Sequence, residues 1–216
     1  LSTKLTEKFA KCYDAPVDYQ VSLDGVEEDH NKTRVSLNKK YGFRKIWDNL
    51  LALKNSDLSY KISLRIHVTP NNKEHLPELV EDLKDTFLTD SRFQAAFKAV
   101  GDWGGPQSGN INVVSEEDEE DIIDRLEAQI HGDEYKNTKN QNNSDQGNYI
   151  CYASKPNQII IRADGTLSKC TVKLKDTRNH VGRLTENGTF DINGELFNIW
   201  IDGFNNYEES KLGCPA

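Results

Sequence analysis

The stretch FRKIWDNLLALKNSDLSYKISLRIHV, residues 43–68, joins a helical pattern directly to a strand pattern. Its first half repeats apolar residues every three or four positions, which predicts an amphipathic helix over residues 43–54. Its second half alternates apolar and polar residues, which predicts a strand over residues 60–68. A helix followed at once by a strand is the repeating unit of an α/β fold.

The alternation of strands and helices continues on both sides of this stretch. We predict further helices at residues 3–13, 76–88 and 115–130, the last capped by Ser115, and further strands at residues 17–23 and 110–114. Strands that alternate with helices form parallel βαβ units, so the predicted fold class is α/β. About three such units are visible, too few for a complete eight-unit barrel of ~250 residues but enough for part of one.

The composition changes abruptly at Gly132, where a polar segment rich in Asn, Lys, Gln, Ser and Asp begins. We therefore divide the chain into a first domain at residues 1–131, a flexible polar linker or loop at 132–148, and a second domain at 149–216. The second domain is predicted to hold a hairpin of residues 158–162 and 166–174 around the turn Ala163-Asp164-Gly165. Asn187-Gly188 predicts a second turn, and residues 195–201 predict a short helix.

Charge and hydropathy limit the classes of partner. A net charge of −8 and an isoelectric point near 5.2 disfavour nucleic acid and anionic membranes as main partners. No apolar run approaches the ~20 residues of a membrane span, and no signal-peptide pattern is present, so we predict a soluble, cytoplasmic protein. Because the chain contains no methionine, Leu1 is not expected to be the natural start, and we expect a piece of a longer protein.

The first candidate site follows the predicted strand at 17–23, where Ser22, Asp24 and Arg34 lie close together in sequence. Polar residues at the carboxyl end of a barrel strand face the active site. Ser22 can donate to a carboxylate or a ribose, Asp24 can accept from hydroxyl groups, and Arg34 can bind a carboxylate in bidentate fashion. From the residues alone, an ordinary turn with solvated charges is the favoured interpretation.

Arg65 is a second candidate because it interrupts the apolar side chains of a strand. An arginine in this position contacts a ligand, lies on an edge strand or forms half of a buried ion pair, and the sequence leaves these alternatives open. His67 shares a strand face with Arg65 and is expected to be a satisfied core histidine rather than a catalytic one.

The cysteines Cys151, Cys170 and Cys214 form the third candidate site. Thiolates are the usual ligands of iron–sulfur clusters, and cysteines around a glycine turn are a plausible cradle for one. Structural zinc more often uses close Cys-x-x-Cys pairs, and two disulfides are the alternative for an even number of cysteines. Cys12 lies in a helical pattern beside Phe9 and is expected to be a buried core thiol.

The order and spacing of these motifs resemble a radical S-adenosylmethionine (radical SAM) enzyme with a SPASM domain. Cys151, thirteen residues, Gly165, four residues and Cys170, followed later by Cys214-Pro215-Ala216, resemble the start of that cluster-binding domain. The segment "SLDG" at 22–25 with His30 and Arg34, the helix "IWDNLLALK" and the strand at 62–69 are similar to successive elements of the family's barrel. The opening LSTKLT and the turn Trp103-Gly104-Gly105-Pro106 also resemble family segments.

The resemblance implies a partial TIM-like (β/α) barrel followed by a small hairpin-containing, SPASM-like domain. Ser22, Asp24, Arg34 and Arg65 would bind S-adenosyl-L-methionine. Cys151 and Cys170 would ligate the first auxiliary 4Fe-4S cluster, and Cys214 would begin the ligand set of the second. The implied enzyme is an oxidoreductase or peptide maturase that abstracts hydrogen from a peptide or protein substrate with a 5′-deoxyadenosyl radical. That radical would form from S-adenosylmethionine on electron transfer from a reduced cluster, and a reducing electron donor is an implied partner.

Two departures qualify the resemblance. The Cys-x-x-x-Cys-x-x-Cys run of radical SAM enzymes is absent, so it is expected upstream of Leu1, and the remaining auxiliary ligands are expected beyond Ala216. This chain alone is therefore expected to be inactive. Thr171 follows Cys170 at the position where similar sulfatase-maturing enzymes carry an aspartate, and this difference disfavours that subfamily. The sequence assigns no catalytic residue.

The alternative is a non-catalytic, acidic α/β binding module whose cysteines are structural or bind zinc. Hydrolase chemistry has little support, because the sequence has no Gly-x-Ser-x-Gly, His-Glu-x-x-His or phosphate-binding glycine motif.

Overall fold

The computed structural model describes residues 2–12, 17–35, 42–102, 109, 112–132 and 150–213. The chain divides into two compact units, Leu1–Gln141 and Asn142–Ala216. Cys214, the predicted turn at 103–106 and most of the predicted linker, residues 133–148, lie outside the described residues. Within the described parts of the chain, no helix has the length and the apolar character that a membrane crossing requires.

The first unit is built around a parallel sheet of three strands. Strand β2 lies in the centre, and it pairs with β1 from Val17↔Tyr60 onward and with β3 from Ile62↔Phe93 onward. The elements are α1 (Thr3–Ala10), β1 (Val17–Ser22), α2 (Glu27–Thr33), α3 (Phe43–Lys54), β2 (Tyr60–Val68), α4 (Leu76–Leu83) with a π-helical extension (Lys84–Leu88), β3 (Phe93–Ala99) and α5 (Glu116–His131). The predicted α/β class is confirmed, and the described strands form an open sheet rather than a closed barrel.

The core of the first unit lies on one face of this sheet. Alternate residues of β2 are fully buried, and they pack with apolar residues of α3 and α4 in a single cluster. The amphipathic period of α3 matches this packing, since Leu50 and Leu53 are buried while Arg44 and Lys45 are exposed. The buried residues of β2 are Tyr60, Ile62, Leu64, Ile66 and Val68.

Two expectations for the first unit are wrong. The third strand is Phe93–Ala99, not 110–114, whose described residues 112–114 belong to no strand. Phe93 and Phe97 are four residues apart, a spacing that is also typical of a helix, so the sequence pattern does not identify this segment as a strand. Cys12 is exposed in the turn after α1, which ends at Ala10, so it is not the buried core thiol that the helical pattern predicts. The predicted cap of α5 is confirmed, with the Ser115 hydroxyl accepting from the N–H of Asp118 at 3.1 Å.

The second unit is a small antiparallel sheet with short helices. Its strands follow chain order, β4-β5-β6-β7. The elements are a 3-10 turn (Tyr152–Ser154), β4 (Ile160–Ile161), β5 (Thr166–Ser168), a 3-10 turn (Thr177–Asn179), β6 (Gly182–Leu184), β7 (Phe190–Ile192), α6 (Gly194–Trp200), α7 (Asp202–Asn205) and a last 3-10 turn (Glu209–Lys211). Both predicted turns join neighbouring strands, and each is closed by a glycine at positive φ, Gly165 at 81° and Gly188 at 77°.

Candidate functional site

The carboxyl ends of three parallel strands meet at one edge of the first unit's sheet. Ser22 ends β1, and its register partner on β2 is Arg65. The chain continues from Ser22 through Leu23, whose N–H donates to the Arg65 carbonyl at 2.9 Å, to Asp24. Edges of this kind are where α/β proteins bind ligands, because loops from neighbouring strands converge there.

Asp24 is the centre of a charged network at this edge. Its carboxylate accepts from Arg34 Nε at 2.5 Å and lies 2.7 Å from His67 Nδ1. Arg34 Nη2 also reaches the second oxygen at 3.5 Å. Arg34 follows α2 and His67 lies near the end of β2, so the network ties the loop after β1 to the central strand. Arg34 therefore clamps a carboxylate of this chain.

The carboxylate of Asp24 is held in its ionised form. Burial raises the pKa of Asp24, but hydrogen bonds from His67 and Arg34, together with the charge of Arg34, outweigh burial and lower the pKa below its usual value. An ionised carboxylate with two oxygens can accept further hydrogen bonds. Asp24 is only 7% exposed, so hydroxyl or ammonium groups of a ligand can reach only a small part of its carboxylate.

Asn72 and Gly25 shape the loop that carries Asp24. The buried Asn72 amide donates to the carbonyls of Asp24 (2.9 Å) and His67 (2.8 Å), and its oxygen accepts from the N–H of Thr69 at 2.9 Å. Gly25 has φ +124°, and a Cβ there would lie 3.0 Å from that of Asp29. The backbone at Gly25 therefore needs glycine both for its conformation and for its close approach to α2.

A buried histidine, His30, supports the loop that carries Asp24. Its side chain is 1% exposed, and Nδ1 accepts from the N–H of Asp24 at 3.2 Å, which assigns the ring proton to Nε2. Burial lowers the pKa of His30; the negative charge of Asp24 opposes this and Arg34 reinforces it. A neutral His30 is therefore part of the folded loop. The sequence marked His30 and Asn72 only by their place in family-like segments, and their bracing role depends on contacts between distant parts of the chain.

Unlike Arg34, Arg65 is paired with no carboxylate among the described residues. It is half-buried on the central strand, so the edge-strand alternative is wrong. Its Nη1 donates to Gln20 Oε1 at 3.3 Å, and no acidic group within the described residues forms an ion pair with it. Beside it, the Ser22 hydroxyl has no hydrogen-bond partner in the same part of the structure. Arg65 and Ser22 thus present one guanidinium and one hydroxyl that can bind a carboxylate.

The second unit brings Cys151 and Cys170 into one apolar cluster, and both are free thiols. The sulfur of Cys170 accepts from the N–H of Val172 at 3.4 Å and from the Tyr152 hydroxyl at 3.8 Å. Donors directed at a sulfur favour thiolate ligation of a metal or a cluster. Cys12 is a free thiol as well, and no disulfide joins these three cysteines in the structure.

The described end of the chain returns to the same place. The N–H of Cys151 donates to the Leu212 carbonyl at 2.9 Å, and the Ser154 hydroxyl donates to the Gly213 carbonyl at 2.9 Å. Cys214, the third predicted ligand, follows Gly213 but lies outside the described residues. Among the residues that the structure covers, no group of three or more His, Cys, Asp or Glu side chains is arranged to hold a metal ion.

The sequence-predicted residues thus belong to two groups, one in each unit. Ser22, Asp24, Arg34 and Arg65 gather at the carboxyl edge of the first unit's sheet, and Cys151 and Cys170 share a cluster in the second unit. Comparison of the chain with protein-family models finds no matching family, and comparison with curated proteins finds no match either.

Proposed function

We propose that this chain is part of a radical SAM enzyme that modifies a peptide or protein, with a partial TIM-like barrel and a SPASM-like domain that holds auxiliary 4Fe-4S clusters. One observation carries the proposal. Arg65, a half-buried guanidinium without an acidic partner among the described residues, lies in register with Ser22 at the carboxyl edge of a parallel sheet. Such a pair suits a ligand that carries a carboxylate.

The residues of this edge would divide the binding of S-adenosyl-L-methionine between them. Arg65 would pair with the carboxylate of the cofactor, and Ser22 would donate to the same group. Asp24, kept ionised by Arg34 and His67, would accept from hydroxyl or ammonium groups. Arg34 would act mainly through Asp24, since it already binds that carboxylate. S-adenosylmethionine, when bound and reduced, supplies the hydrogen-abstracting chemistry of the family.

Cys151 and Cys170 fit the donor set of an auxiliary cluster. Both thiols are free, they belong to one apolar cluster, and N–H and O–H groups are directed at the sulfur of Cys170. A small unit with a limited core commonly depends on a disulfide or a metal for stability. By resemblance, Cys214 would begin the ligand set of the second auxiliary cluster. An electron donor and a peptide or protein substrate are the partners that the proposal requires, and the cytoplasm is the expected compartment.

The second candidate is a non-catalytic binding module, and one observation favours it. Arg34 and His67 already occupy the carboxylate of Asp24, so this part of the edge is satisfied without a ligand. The two candidates differ in whether the edge binds S-adenosylmethionine.

Cofactor binding by the intact protein, purified without oxygen, tests the proposal. We expect S-adenosylhomocysteine to bind in a calorimetric titration, and the Arg65→Gln variant to weaken binding about tenfold, the loss of roughly one charge-assisted pair. The matched control is Arg44→Gln, an exposed arginine whose partner is Glu27 at 2.7 Å, and this variant should bind like the unmodified protein. Absence of binding, or equal losses in both variants, would contradict the proposal.

A further inference from the structure

The two faces of the parallel sheet differ completely in chemistry. Alternate residues of β2, from Tyr60 to Val68, are in the core, whereas the residues between them are Lys61, Ser63, Arg65 and His67. We call the second side, with its register partners on β1 and β3, the polar face. Parallel sheets in α/β proteins are usually covered on both sides. A face of this composition suits a polar ligand rather than an apolar cover.

Register places further polar side chains beside those of β2. Ser63 lies between Gln20 on β1 and Gln94 on β3, and both glutamines are exposed. Arg65 lies beside Ala96, whose small side chain leaves room next to the guanidinium. The middle of the polar face is therefore made of amide and hydroxyl groups that can bind main-chain amides of another chain.

The charges on this face are opposite in sign to that of the whole chain. Lys61, Arg65 and Lys98 lie on it, against a single acidic residue, Asp18. The whole chain has 35 acidic and 27 basic residues. Lys61 forms no ion pair in the described part of the chain. Lys98 lies 3.7 Å from the carboxylate of Glu119, so it already contacts one carboxylate.

The dimensions of the face favour a peptide over a small anion. His67 lies six residue steps after Lys61, which corresponds to ~20 Å along the strand, and three strands span ~10 Å. The proposed cofactor residues occupy only the carboxyl edge of that length. The remaining rows match several residues of an extended chain, at ~3.3 Å each.

We infer that the polar face binds an acidic peptide segment, with Lys61 and Lys98 pairing with its carboxylates and Gln94 binding its main chain. The description of this peptide as the substrate rests on the proposed function, but the binding itself does not. Electrostatic pairing of this kind weakens as the salt concentration rises.

The test uses two fluorescein-labelled octapeptides, one alternating Glu and Ser and one alternating Gln and Ser, titrated with the intact protein by fluorescence anisotropy. We expect the Glu peptide to bind about tenfold more tightly than the Gln peptide, and the Lys61→Gln/Lys98→Gln variant to remove most of this difference. The control is Lys45→Gln, an exposed lysine on α3, which should change nothing.

Three outcomes would overturn the inference: equal binding of the two peptides, an equal loss in the Lys45→Gln variant, or stronger displacement by a single-stranded oligonucleotide of the same charge. Titration of S-adenosylhomocysteine into the same variants separates this inference from the proposed function. Normal cofactor binding without peptide selectivity refutes only the inference. Peptide selectivity without any cofactor binding supports the inference and refutes the proposed function.

Discussion

The two units of the chain are stabilised in different ways. Among the described residues, the core of the first unit contains nineteen buried apolar residues, whereas that of the second contains five. The first unit therefore depends mainly on apolar burial, which contributes in proportion to the area removed from water. The second depends on individual polar side chains that satisfy buried main-chain groups. A bound cluster would add proportionately more to the stability of a unit with such a small apolar core.

Asn179 and Lys169 illustrate the polar support of the second unit. The buried Asn179 side chain accepts from the N–H groups of Lys169 and Cys170 and donates to the carbonyls of Cys170 and Lys173, all within 2.9 Å. The Lys169 ammonium donates to the carbonyls of Lys155 and Gln158 at 2.6 Å each. It also lies 4.7 Å from the centre of the Phe197 ring. These two residues fix the loop that carries Cys170.

The largest effect is expected in the first unit. Leu64→Ala removes a fully buried side chain at the centre of β2 and should lower the free energy of unfolding by about 3 kcal/mol. Ser63→Ala, on the opposite face of the same strand, should change it by less than about 0.5 kcal/mol. Chemical denaturation measures both. Equal losses in the two variants would contradict the assignment of the core to one face.

The next effect belongs to the second unit. Asn179→Ala leaves four main-chain partners without their hydrogen bonds, three of them in buried bonds, and should cost about 2 kcal/mol, confined to this unit. The exposed Asn198, whose side chain accepts one long hydrogen bond of 3.4 Å within the described parts of the chain, provides the control Asn198→Ala. Hydrogen–deuterium exchange, resolved by segment, should show faster exchange near Cys170 in the first variant alone. Uniform protection in both variants would show that the loop does not depend on Asn179.

The stability of the second unit should depend on pH in the alkaline range. Burial lowers the pKa of Lys169 to about 8, below the usual 10.5. Above pH 8 the folded state loses this proton while the unfolded state keeps it, so stability should rise with pH until about pH 10.5. The gain between pH 8 and pH 9 is at most about 1.4 kcal/mol. Lys169→Met should abolish this rise in unfolding measurements, whereas Lys155→Met, at an exposed side chain, should retain it. A rise that persists in Lys169→Met would assign the effect to another group.

The smallest expected effect is a change in the stability of the first unit at acidic pH. Because burial lowers the pKa of His30, its contribution to stability is complete above the unfolded value of about 6.5 and is lost as the pH falls through the folded value. Unfolding measured between pH 7.5 and pH 5 should therefore show a decline that is reduced in His30→Gln. His131→Gln, at a half-exposed side chain, is the control. An unchanged decline in His30→Gln would contradict the neutral, bracing role of His30.

The sequence predicted the elements of the first unit where local pattern and packing agree. Residues 43–54 and 60–68 were assigned correctly because their periods of 3.6 and 2 coincide with the buried side of α3 and β2. Phe93–Ala99 was missed because its alanines carry little strand signal, and the strand is specified by pairing with β2. Turn residues such as Gly165 and Gly188 were found because positive φ selects glycine.

The residues of the candidate site were predictable from the sequence, but the contacts between them were not. Ser22, Asp24, Arg34 and Arg65 were all named from the sequence, yet the pairing of Arg34 with Asp24 rather than with a ligand depends on the path of α2. Asn72 bridges Asp24 and His67 across 48 and 5 residues, and no local pattern reports such a bridge. The polar face likewise required the register of three strands.

The proposed ligation of an iron–sulfur cluster by Cys151 and Cys170 is tested most directly by measuring iron and acid-labile sulfide per polypeptide. We predict ~12 iron atoms, three four-iron clusters, in the intact protein purified and reconstituted without oxygen. The double variant Cys151→Ser/Cys170→Ser should lose ~4 of them. Cys12→Ser, which removes an exposed thiol, should lose none. No iron, zinc in its place, or equal iron in all three proteins would contradict the account.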